Sequence, residues 1–510
     1  MTAQELLASD FATLPDIIRE HAKERGSKTA VADADGSYTY AELDAMMDRV
    51  AAALQRDGVE QGQSVAIISA SSTAYAAVFL GALRAGCVAA PLAPSSTPEA
   101  LAAMIADCGA PIVFLDGENE IAIANQPVAA NRVRLDTAAF DTWLAPAGAK
   151  PRAVTINAAD GFNIIYSSGT TGTPKGIVQS HGMRWAHIGR NSAGGYGEAV
   201  TMNSTPLYSN TTLVSFLPTL GWGGTVVLMK KFDARAFLEL AEKHRVTHAM
   251  LVPVQYQRIM AVPDFDDFDL SSFRLKTSTS APFSADLKAD ILARWPGRLI
   301  EFYGMTEGGA STGLDCTQFP DKLHTVGRPL EGHDMRLIDD DGNEVPHGET
   351  GEVVGRSPAM MTGYHGRKQA TADAEWYDKD GNRFIRHGDI GRFDEDGFLI
   401  LMDRKKDLII SGGFNIYPVD IEAVLKRHPA VRECTVIGVP SEKWGETPVG
   451  FYVPNSGVDA SADDIMAWTN DQLGKTQRLS ALHPIEELPR SAIGKVLKRE
   501  LRDRLAAELA

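Results

Sequence analysis

The chain has 510 residues, more than one ordinary domain, so we expect two or more separate cores. A hydrophobic fraction of 44% with 23% charged residues is ordinary for a soluble globular enzyme. The formal net charge of -16 argues against nucleic acid or an anionic membrane as the main partner. A phosphate ligand would therefore need a local binding site.

The cysteines and the N-terminal segment indicate the cellular compartment of the protein. No C-x-x-C pair occurs, which fits a reducing cytosol and offers neither a disulfide framework nor a zinc site. The N-terminus lacks the basic and apolar regions of a signal peptide, and no apolar run reaches about 18 residues. We therefore expect a cytoplasmic protein that does not enter a membrane. The four cysteines are Cys87, Cys108, Cys316 and Cys434.

The first 160 or so residues alternate between helix and strand signals. Thr39 and Glu42 form a capping box, which predicts a helix through Leu54. Thr97 followed by Pro98 has the N-cap and N1 pattern of another helix. Helices that alternate with short apolar strands predict a mostly parallel, doubly wound sheet. The strands predicted here are Val65–Ile68 and Ile112–Leu115.

An apolar strand, Phe162–Ile165, leads into a loop rich in glycine, threonine and serine. Glycines let consecutive backbone N–H groups point at an anion, and the hydroxyls add donors, so the loop suits a polyphosphate. It is not a Walker loop, because Pro174 replaces the second glycine of that motif. The alternative is a flexible connector. The candidate phosphate ligands are Ser167, Ser168, Gly169, Thr170, Thr171, Gly172, Thr173 and Lys175.

Beyond this loop the alternation resumes, and the strand Leu299–Tyr303 is predicted to end at Gly304. That strand would place Thr306 and Glu307 on a loop at the carboxyl edge of a sheet, where doubly wound folds bind ligands. Thr306 can donate to a phosphate, and Glu307 is a hard oxygen ligand suited to Mg²⁺. A plain tight turn is the alternative. The other elements predicted here are the strands Thr225–Met229 and His248–Val252 and the helix Ala234–His244.

The stretch Gly309–Gly313 matches the G-x-S-x-G nucleophile elbow of serine hydrolases. That motif requires its serine directly between a strand and a helix. The preceding strand is predicted to end near Tyr303, so we disfavour a hydrolase.

From about Met335 the pattern changes to hairpins, which predicts a small antiparallel barrel or sheet. In this region Asp389 occupies a tight, glycine-flanked turn where it could accept hydrogen bonds from two vicinal hydroxyls, and Arg404 could meet the same ligand. The hairpin turns do not have the acidic spacing of an EF-hand, so we interpret them as turns only. They are Asp341-Gly342, Asp380-Gly381 and Asp396-Gly397.

The last 100 or so residues carry their own helices and strands, enough for a separate small domain. Lys495 lies on a glycine turn just before a basic helix. A lone lysine there is more often a solvated charge, but a lysine also suits the role of a mobile point charge on an oxyanion. The elements predicted in this part are the helices Ile421–Arg427 and Ala462–Leu473 and the strand Cys434–Val439.

Taken in order, these motifs resemble those of the adenylate-forming superfamily of acyl-CoA synthetases, luciferases and peptide-synthetase adenylation domains. The resemblance extends from Tyr38 to Lys495. It implies an α/β fold: a large N-terminal domain (1–404) of doubly wound mixed sheets plus a small antiparallel β-barrel, then a small mobile α+β domain (405–510). The motifs are the glycine-rich loop, Tyr303-Gly-Met-Thr-Glu307, Gly388-Asp389 followed by Asp403-Arg-x-Lys-Asp407, and Pro489-Arg-x-x-x-Gly-Lys495.

The resemblance implies an AMP-forming acid–CoA ligase that uses ATP, Mg²⁺ and coenzyme A. In this interpretation the acid attacks the α-phosphate of ATP, and CoA then displaces AMP from the acyl-adenylate. The implied roles are as follows: Ser167 to Lys175 at the β- and γ-phosphates, Glu301 and Tyr303 at adenine, Thr306 at the α-phosphate, Glu307 at Mg²⁺, Asp389 at the ribose with Arg404 nearby, Lys406 at the hinge, Gly412 and Gly413 along the pantetheine tunnel, and Lys495 between the carboxylate and the α-phosphate.

Departures from the family pattern bear on the acid. Ser209, followed by Asn210, stands where a histidine is usual, and Thr279 in place of glycine should narrow the acyl pocket. No basic residue is clearly dedicated to a second carboxylate. We therefore expect a monocarboxylic acid, an aryl acid of the 4-coumarate or ferulate type ahead of a medium- or long-chain fatty acid. The alternative is a stand-alone enzyme that loads a carrier protein, and a homodimer stays open. The predicted pocket residues are Tyr208, Ser209, Asn210, Thr279, Ser280, Gly304 and Met305.

Overall fold

The computed structural model describes residues 1–167, 175–190, 194–411, 414–441, 444–458, 460–474, 477–491 and 494–508. Contacts between Cα atoms divide the chain into two compact units. Unit 1 comprises Met1–His324, Pro329–Asp334 and Gly355–Ile385, and unit 2 comprises Thr325–Arg328, Met335–Val354 and Arg386–Ala510. The division groups part of the antiparallel region with the C-terminal residues, and the domain boundary after residue 404 stays a prediction.

The first stretch forms the predicted alternation, and its helix caps are confirmed. The Thr39 hydroxyl accepts from the Glu42 N–H (3.3 Å), and the Glu42 carboxylate accepts from the Thr39 N–H (2.8 Å). Thr97 caps the helix that begins at Pro98. The elements are α1 Ala3–Leu7, α2 Leu14–Glu24, β1 Thr29–Ala32, β2 Ser37–Thr39, α3 Tyr40–Arg56, β3 Ser64–Ile68, α4 Thr73–Arg84, β4 Val88–Pro91, α5 Pro98–Cys108, β5 Ile112–Leu115, α6 Gly117–Ala122, β6 Asn131–Arg134, α7 Ala138–Trp143 and β7 Gly161–Ser167.

The next stretch continues the alternation and then turns back on itself as a hairpin. Its elements are β8 Lys175–Ser180, α8 His181–Arg190, β9 Val200–Asn203, α9 Asn210–Gly221, β10 Thr225–Leu228, α10 Ala234–Lys243, β11 His248–Leu251, α11 Pro253–Met260, β12 Leu275–Ser278, α12 Ala285–Arg294, β13 Arg298–Met305, β14 Gly308–Asp315 and β15 Arg328–Pro329.

Short antiparallel strands follow, as the hairpin signals predict. The glycines of the three Asp-Gly turns have φ of 84°, 78° and 79°, the left-handed region that favours glycine. The elements are β16 Asp334–Ile338, β17 Gly351–Arg356, β18 Gly363–Tyr364, α13 Lys368–Asp373, β19 Glu375–Tyr377, β20 Arg383–Phe393 and β21 Leu399–Arg404.

The C-terminal residues of unit 2 form a small α+β layer around a buried cluster that includes Ile409, Ile421, Val436 and Tyr452. The helix predicted from Ile421 begins earlier, at Pro418, because proline is favoured in the first turn of a helix. The elements are β22 Ile409–Ser411, β23 Phe414–Ile416, α14 Pro418–Leu425, β24 Val431–Ser441, β25 Gly445–Pro454, α15 Ala462–Asn470, β26 Ala481–Pro484 and α16 Lys498–Glu508.

Unit 1 contains two mixed sheets of the predicted doubly wound kind. One runs in the order β14-β13-β12-β11-β9-β10-β1-β2 and is parallel except for its outer pairs β13/β14 and β1/β2. The other runs β18-β8-β7-β4-β3-β5-β6 and is parallel from β7 to β6. A shared apolar core joins strands of both sheets with the helices α3, α4 and α9; among its members are Val31, Val65, Phe79, Phe216 and Val226.

The predicted end of the strand at Gly304 is wrong. β13 continues to Met305, and β14 pairs with it from Gly308. Gly304 lies within β13 where the register shifts between the pairs Tyr303/Thr312 and Met305/Gly308, and a Cβ there would lie 2.7 Å from the Ser311 hydroxyl of β14. Thr306 and Glu307 are therefore the turn of a hairpin. Ser311 lies within a strand rather than between strand and helix, so the nucleophile-elbow geometry is absent at this serine.

Candidate active site

The glycine-rich loop joins two antiparallel strands, and both of its ends are described. Ser167 pairs in register with Lys175, so the antiparallel strands β7 and β8 flank the loop. The predicted contacts of residues 168–174, and of Gly412 and Gly413 further along the chain, fall on positions outside the described ranges.

Three residues hold the Thr306–Glu307 turn of unit 1. The Gln179 side chain on β8 donates to the Thr306 carbonyl (2.7 Å). The Met361 N–H, just before β18, donates to the Glu307 carbonyl (2.7 Å). The Tyr364 hydroxyl on β18 donates to Oε1 of Glu307 (2.8 Å). The backbone and carboxylate of this turn are thereby fixed from two strands that lie far away in sequence.

Tyr364 also connects this turn with Lys175, the first residue of β8. Nζ of Lys175 lies 5.3 Å from the centre of the Tyr364 ring, within the range of a cation–π contact. Burial, together with the charge of Glu307, raises the pKa of Tyr364, so its hydroxyl stays protonated and donates. The structure thus brings Lys175, predicted at the phosphates, and Glu307, predicted at Mg²⁺, to the same aromatic residue.

Glu301, predicted to contact adenine, is buried on β13 and is only 4% exposed. Its carboxylate pairs with Lys288 of α12, whose Nζ also donates to the Leu323 carbonyl (2.7 Å). Burial raises the pKa of Glu301 to about 7 against the opposing effect of Lys288. The structure therefore gives this carboxylate a partner inside the protein. Contact of Glu301 or of the half-buried Tyr303 with adenine stays a prediction.

The predicted acyl-pocket residues at the start of α9 and after β12 come together. Ser209 caps α9 by accepting from the Thr211 N–H (3.2 Å). The Thr211 hydroxyl is in turn 2.7 Å from that of Ser280. Ser280 has φ of 81°, an unusual backbone for a residue with a side chain, and strain of this kind clusters at functional sites. The amide oxygen of Asn210 is buried and, among the described residues, has no hydrogen-bond partner.

The other predicted pocket residues are placed as follows. Thr279 follows β12 directly, and Gly304 and Met305 end β13. Met305 packs against a small cluster of Ile177, Met361 and Ile385. Tyr208 is half-buried, and its burial raises the pKa of its phenol.

In unit 2 the predicted tight turn at Asp389 is wrong, because Asp389 lies within strand β20. Asp389 and Arg404 contact each other, and their contact with a shared ligand stays a prediction. They are register partners on β20 and β21, and Nε of Arg404 lies 2.8 Å from Oδ1 of Asp389. The preceding Gly388 has φ of 68°, which explains the glycine. His387 is buried, and this burial lowers its pKa to about 4, so it is neutral at pH 7.

The two predicted functional lysines lie on short backbone turns of unit 2. Lys406 is the middle residue of a single 3₁₀ turn, Lys405–Asp407. Lys495 follows Gly494, which has φ of 76°. The Lys495 N–H donates to the Ser491 hydroxyl (3.2 Å), and the Ser491 N–H donates to the Lys495 carbonyl (2.8 Å).

The described residues include no group of three or more His, Cys, Asp or Glu side chains placed to hold a metal ion. Mg²⁺ commonly binds through one or two carboxylates plus the phosphates of its substrate, so a single Glu307 fits such an ion. In the part of the chain that the structure covers, every helix is too short or too polar to cross a membrane.

Sequence reasoning missed Gln179, Tyr364 and the backbone of Ser280. Tyr364 is 57 residues from Glu307, and its strand has only two residues, too few for a periodic pattern. Gln179 lies on β8 and belongs to no recognisable sequence motif. Serine carries no signal for positive φ, which is typical of glycine.

The chain is similar to known proteins over most of its length. A family model described as AMP-binding enzyme matches residues 18–365, and one described as AMP-binding enzyme C-terminal domain matches 420–495. Feruloyl-CoA synthase of an Amycolatopsis species is 35% identical over 481 residues, covering 93% of this chain and 96% of that protein. 4-Coumarate–CoA ligase-like 9 of Oryza sativa subsp. japonica is 32% identical over 522 residues, covering 97% and 93%. ATP-bound MatB from Rhodopseudomonas palustris has a TM-score of 0.85 at 30% identity, covering 97% of this chain and 99% of that chain.

The chain belongs to the AMP-binding enzyme family, the adenylate-forming superfamily. Within it, the chain is an AMP-forming acid–CoA ligase, and its substrates are a small-molecule acid, ATP and CoA. The fold and the reaction class expected from the sequence are confirmed.

Proposed function

We propose that this ligase activates a hydroxycinnamic acid of the 4-coumarate or ferulate type. The observation that supports this most directly is the buried, unpartnered amide oxygen of Asn210. A phenolic O–H would supply the missing donor, and a buried polar atom without a partner is costly. The hydroxyls of Thr211 and Ser280 make the same region polar, which suits a phenol better than a fatty chain.

In the proposed first half-reaction the acid's carboxylate attacks the α-phosphorus of ATP, and pyrophosphate leaves. The glycine-rich loop, Ser167 to Lys175, holds the β- and γ-phosphates. Thr306 donates to the α-phosphate, and Lys495 reduces the repulsion between the carboxylate and that phosphate as they approach. Asp389 accepts from the ribose hydroxyls, while Glu301 and Tyr303 flank adenine.

Mg²⁺, when bound, would neutralise phosphate charge and so favour departure of pyrophosphate. Glu307 would hold it through the carboxylate oxygen that Tyr364 leaves unused. Tyr364 fixes Oε1 by donating to it, which orients the carboxylate.

In the proposed second half-reaction the CoA thiol attacks the acyl carbonyl, and AMP leaves. Residues 405–510 would rotate about Lys406 between the two steps, and Gly412 and Gly413 would allow the pantetheine arm to pass close to the backbone. Lys495 would act only in the first step.

The test compares pairs of acids that differ only in the 4-hydroxyl. Wild-type enzyme should release AMP in the presence of CoA with 4-coumarate and ferulate. Asn210→Leu should lower kcat/KM for 4-coumarate about tenfold, the effect of one buried hydrogen bond, and leave cinnamate nearly unchanged. Equal losses for both acids would contradict the Asn210 assignment. A preference for decanoate over every aryl acid would contradict the substrate class.

The same assay shows whether the thiol acceptor is free CoA or a carrier protein. AMP release that requires a holo carrier protein instead of free CoA would support the carrier-loading alternative.

We also propose that the protein is cytoplasmic and forms a homodimer. Four cysteines without disulfides fit a reducing compartment, and light scattering of the purified protein tests the dimer.

A further inference from the structure

A buried polar cluster in unit 1 contacts the Thr306–Glu307 turn. It consists of Asn163 on β7, Gln179 on β8 and Arg184 on α8, all of them inaccessible to solvent. Oε1 of Gln179 accepts from the Asn163 amide (2.9 Å) and from the Arg184 guanidinium. Nε of Arg184 also donates to Oδ1 of Asn163 (2.9 Å).

These bonds leave the Gln179 amide a single orientation. Two donors face its oxygen, so a flipped amide would point N–H groups at N–H groups. The NH₂ of Gln179 must therefore point the other way, where it donates to the Thr306 carbonyl at 2.7 Å. The donors and acceptors of the cluster are therefore fixed in one order. Its last hydrogen bond reaches Thr306, the residue proposed to bind the α-phosphate.

Burial of this cluster lowers the stability of the fold. Arg184 is fully buried, and within the described ranges no carboxylate pairs with it and its Nη1 has no hydrogen-bond partner. Burial lowers the pKa of Arg184 to about 9. A buried charge without a counter-ion destabilises a protein, so stability alone does not explain this arrangement.

We propose that Gln179 is a positioning residue for adenylation, oriented by Asn163 and Arg184 so that it fixes the backbone of the Thr306–Glu307 turn. The proposal rests on the function proposed above for Thr306 and Glu307. Because the Glu307 carbonyl accepts from the Met361 N–H, a shift of the turn also disturbs that bond. Gln179 touches neither substrate nor metal in this account; it acts through Thr306.

The decisive variant is Gln179→Glu. A carboxylate keeps the size of the side chain, still accepts from Asn163 and gives Arg184 an ionic partner, so the melting temperature should not fall. It loses the donor to Thr306 and turns an oxygen toward the carbonyl oxygen. We expect kcat of ATP–pyrophosphate exchange to fall about tenfold with KM for the acid within about twofold, and half-saturating Mg²⁺ to rise a few-fold.

The matched control is Tyr40→Phe. The Tyr40 hydroxyl is also fully buried and donates to a backbone carbonyl, that of Gly224 (2.7 Å), away from the catalytic turn. It should lower the melting temperature while kcat per active site stays within about twofold of wild type. Active-site titration by the burst of acyl-adenylate corrects both variants for misfolded enzyme.

A substrate-free measurement separates this inference from the proposed function. Amide hydrogen exchange of Met361 should be faster in Gln179→Glu than in wild type. The ratio of variant to wild-type rates of ATP–pyrophosphate exchange can be measured with whichever acid the enzyme accepts. This ratio can therefore be interpreted even if the proposed acid is wrong. An unchanged kcat per active site together with unchanged Met361 exchange would overturn the positioning role, as would a loss that active-site titration fully accounts for.

Discussion

The Thr306–Glu307 turn and the Ser491–Lys495 turn present proposed catalytic groups by opposite means. Gln179, Met361 and Tyr364, from distant parts of the chain, bond to the first turn. The second turn is closed by its own residues.

In the second turn, Ser491 exchanges hydrogen bonds with Lys495, and Nη1 of Arg490 donates to the Gly494 carbonyl (2.8 Å). A group that must stay still beside the phosphates gains from support by several elements. A group that serves only one half-reaction can be carried as a self-contained turn, because such a turn keeps its shape when its domain moves. Variants of residues in and around each turn test this contrast.

The largest effect should come from Lys495→Ala. Removing the only charge proposed to bridge carboxylate and α-phosphate should slow adenylation about 10³-fold. Thioester formation from supplied acyl-adenylate should continue at nearly the wild-type rate. Single-turnover assays of each half-reaction measure this, and similar losses in both would mean that the lysine does not act in one step alone.

Lys406→Pro should have the converse effect. Proline fixes φ, so the rotation proposed at this residue is restricted and the thioester step should slow about 10²-fold while adenylation proceeds. Lys406→Ala is the control, since it removes the charge but leaves φ free. If alanine slows the thioester step as much as proline, the charge matters rather than the rotation.

Tyr364→Phe removes one support of the first turn. Without the hydroxyl, Oε1 of Glu307 loses its donor, so adenylation should slow about tenfold and half-saturating Mg²⁺ should rise. Titration of activity against Mg²⁺ measures both. A normal Mg²⁺ dependence would show that Tyr364 does not orient the metal ligand.

Gly494→Ala should perturb the second turn only mildly. Alanine at φ of 76° costs about 1 kcal/mol, which corresponds to about a fivefold loss in adenylation if the turn must keep its shape. Gly457→Ala, at φ of 84° and with open space around it, provides the same backbone penalty elsewhere in unit 2. Equal effects of the two variants on adenylation would remove any special role for the Lys495 turn.

Acid should destabilise the fold through His181, which is buried. Burial lowers the pKa of His181, the first residue of α8, to about 4. Between pH 6.5 and 4 the unfolded chain binds a proton that the folded chain does not, so stability falls as pH falls, by about 2 kcal/mol at pH 5. Urea unfolding at pH 7 and 5 should show a smaller loss in His181→Gln than in wild type. The exposed His347→Gln is the control, and an unchanged loss in His181→Gln would contradict the assignment.

Much of the fold was accessible from local patterns. Capping boxes, short apolar strands and Asp-Gly turns are determined by neighbouring residues, and the structure confirms them at Thr39, Thr97 and Gly342. The predicted end of β13 was wrong, because a glycine can end a strand but can also occupy an irregular position within one, as Gly304 does close to Ser311.

The sequence by itself determined the reaction class, because the glycine-rich loop, the Thr306–Glu307 turn, Asp389 and Lys495 are ordered along the chain with characteristic neighbours. Only the tertiary structure decided what holds the Thr306–Glu307 turn. Tyr364 and Gln179 reach it across sheet pairing and a buried cluster, and hydrogen bonds between residues so far apart in sequence leave no local pattern.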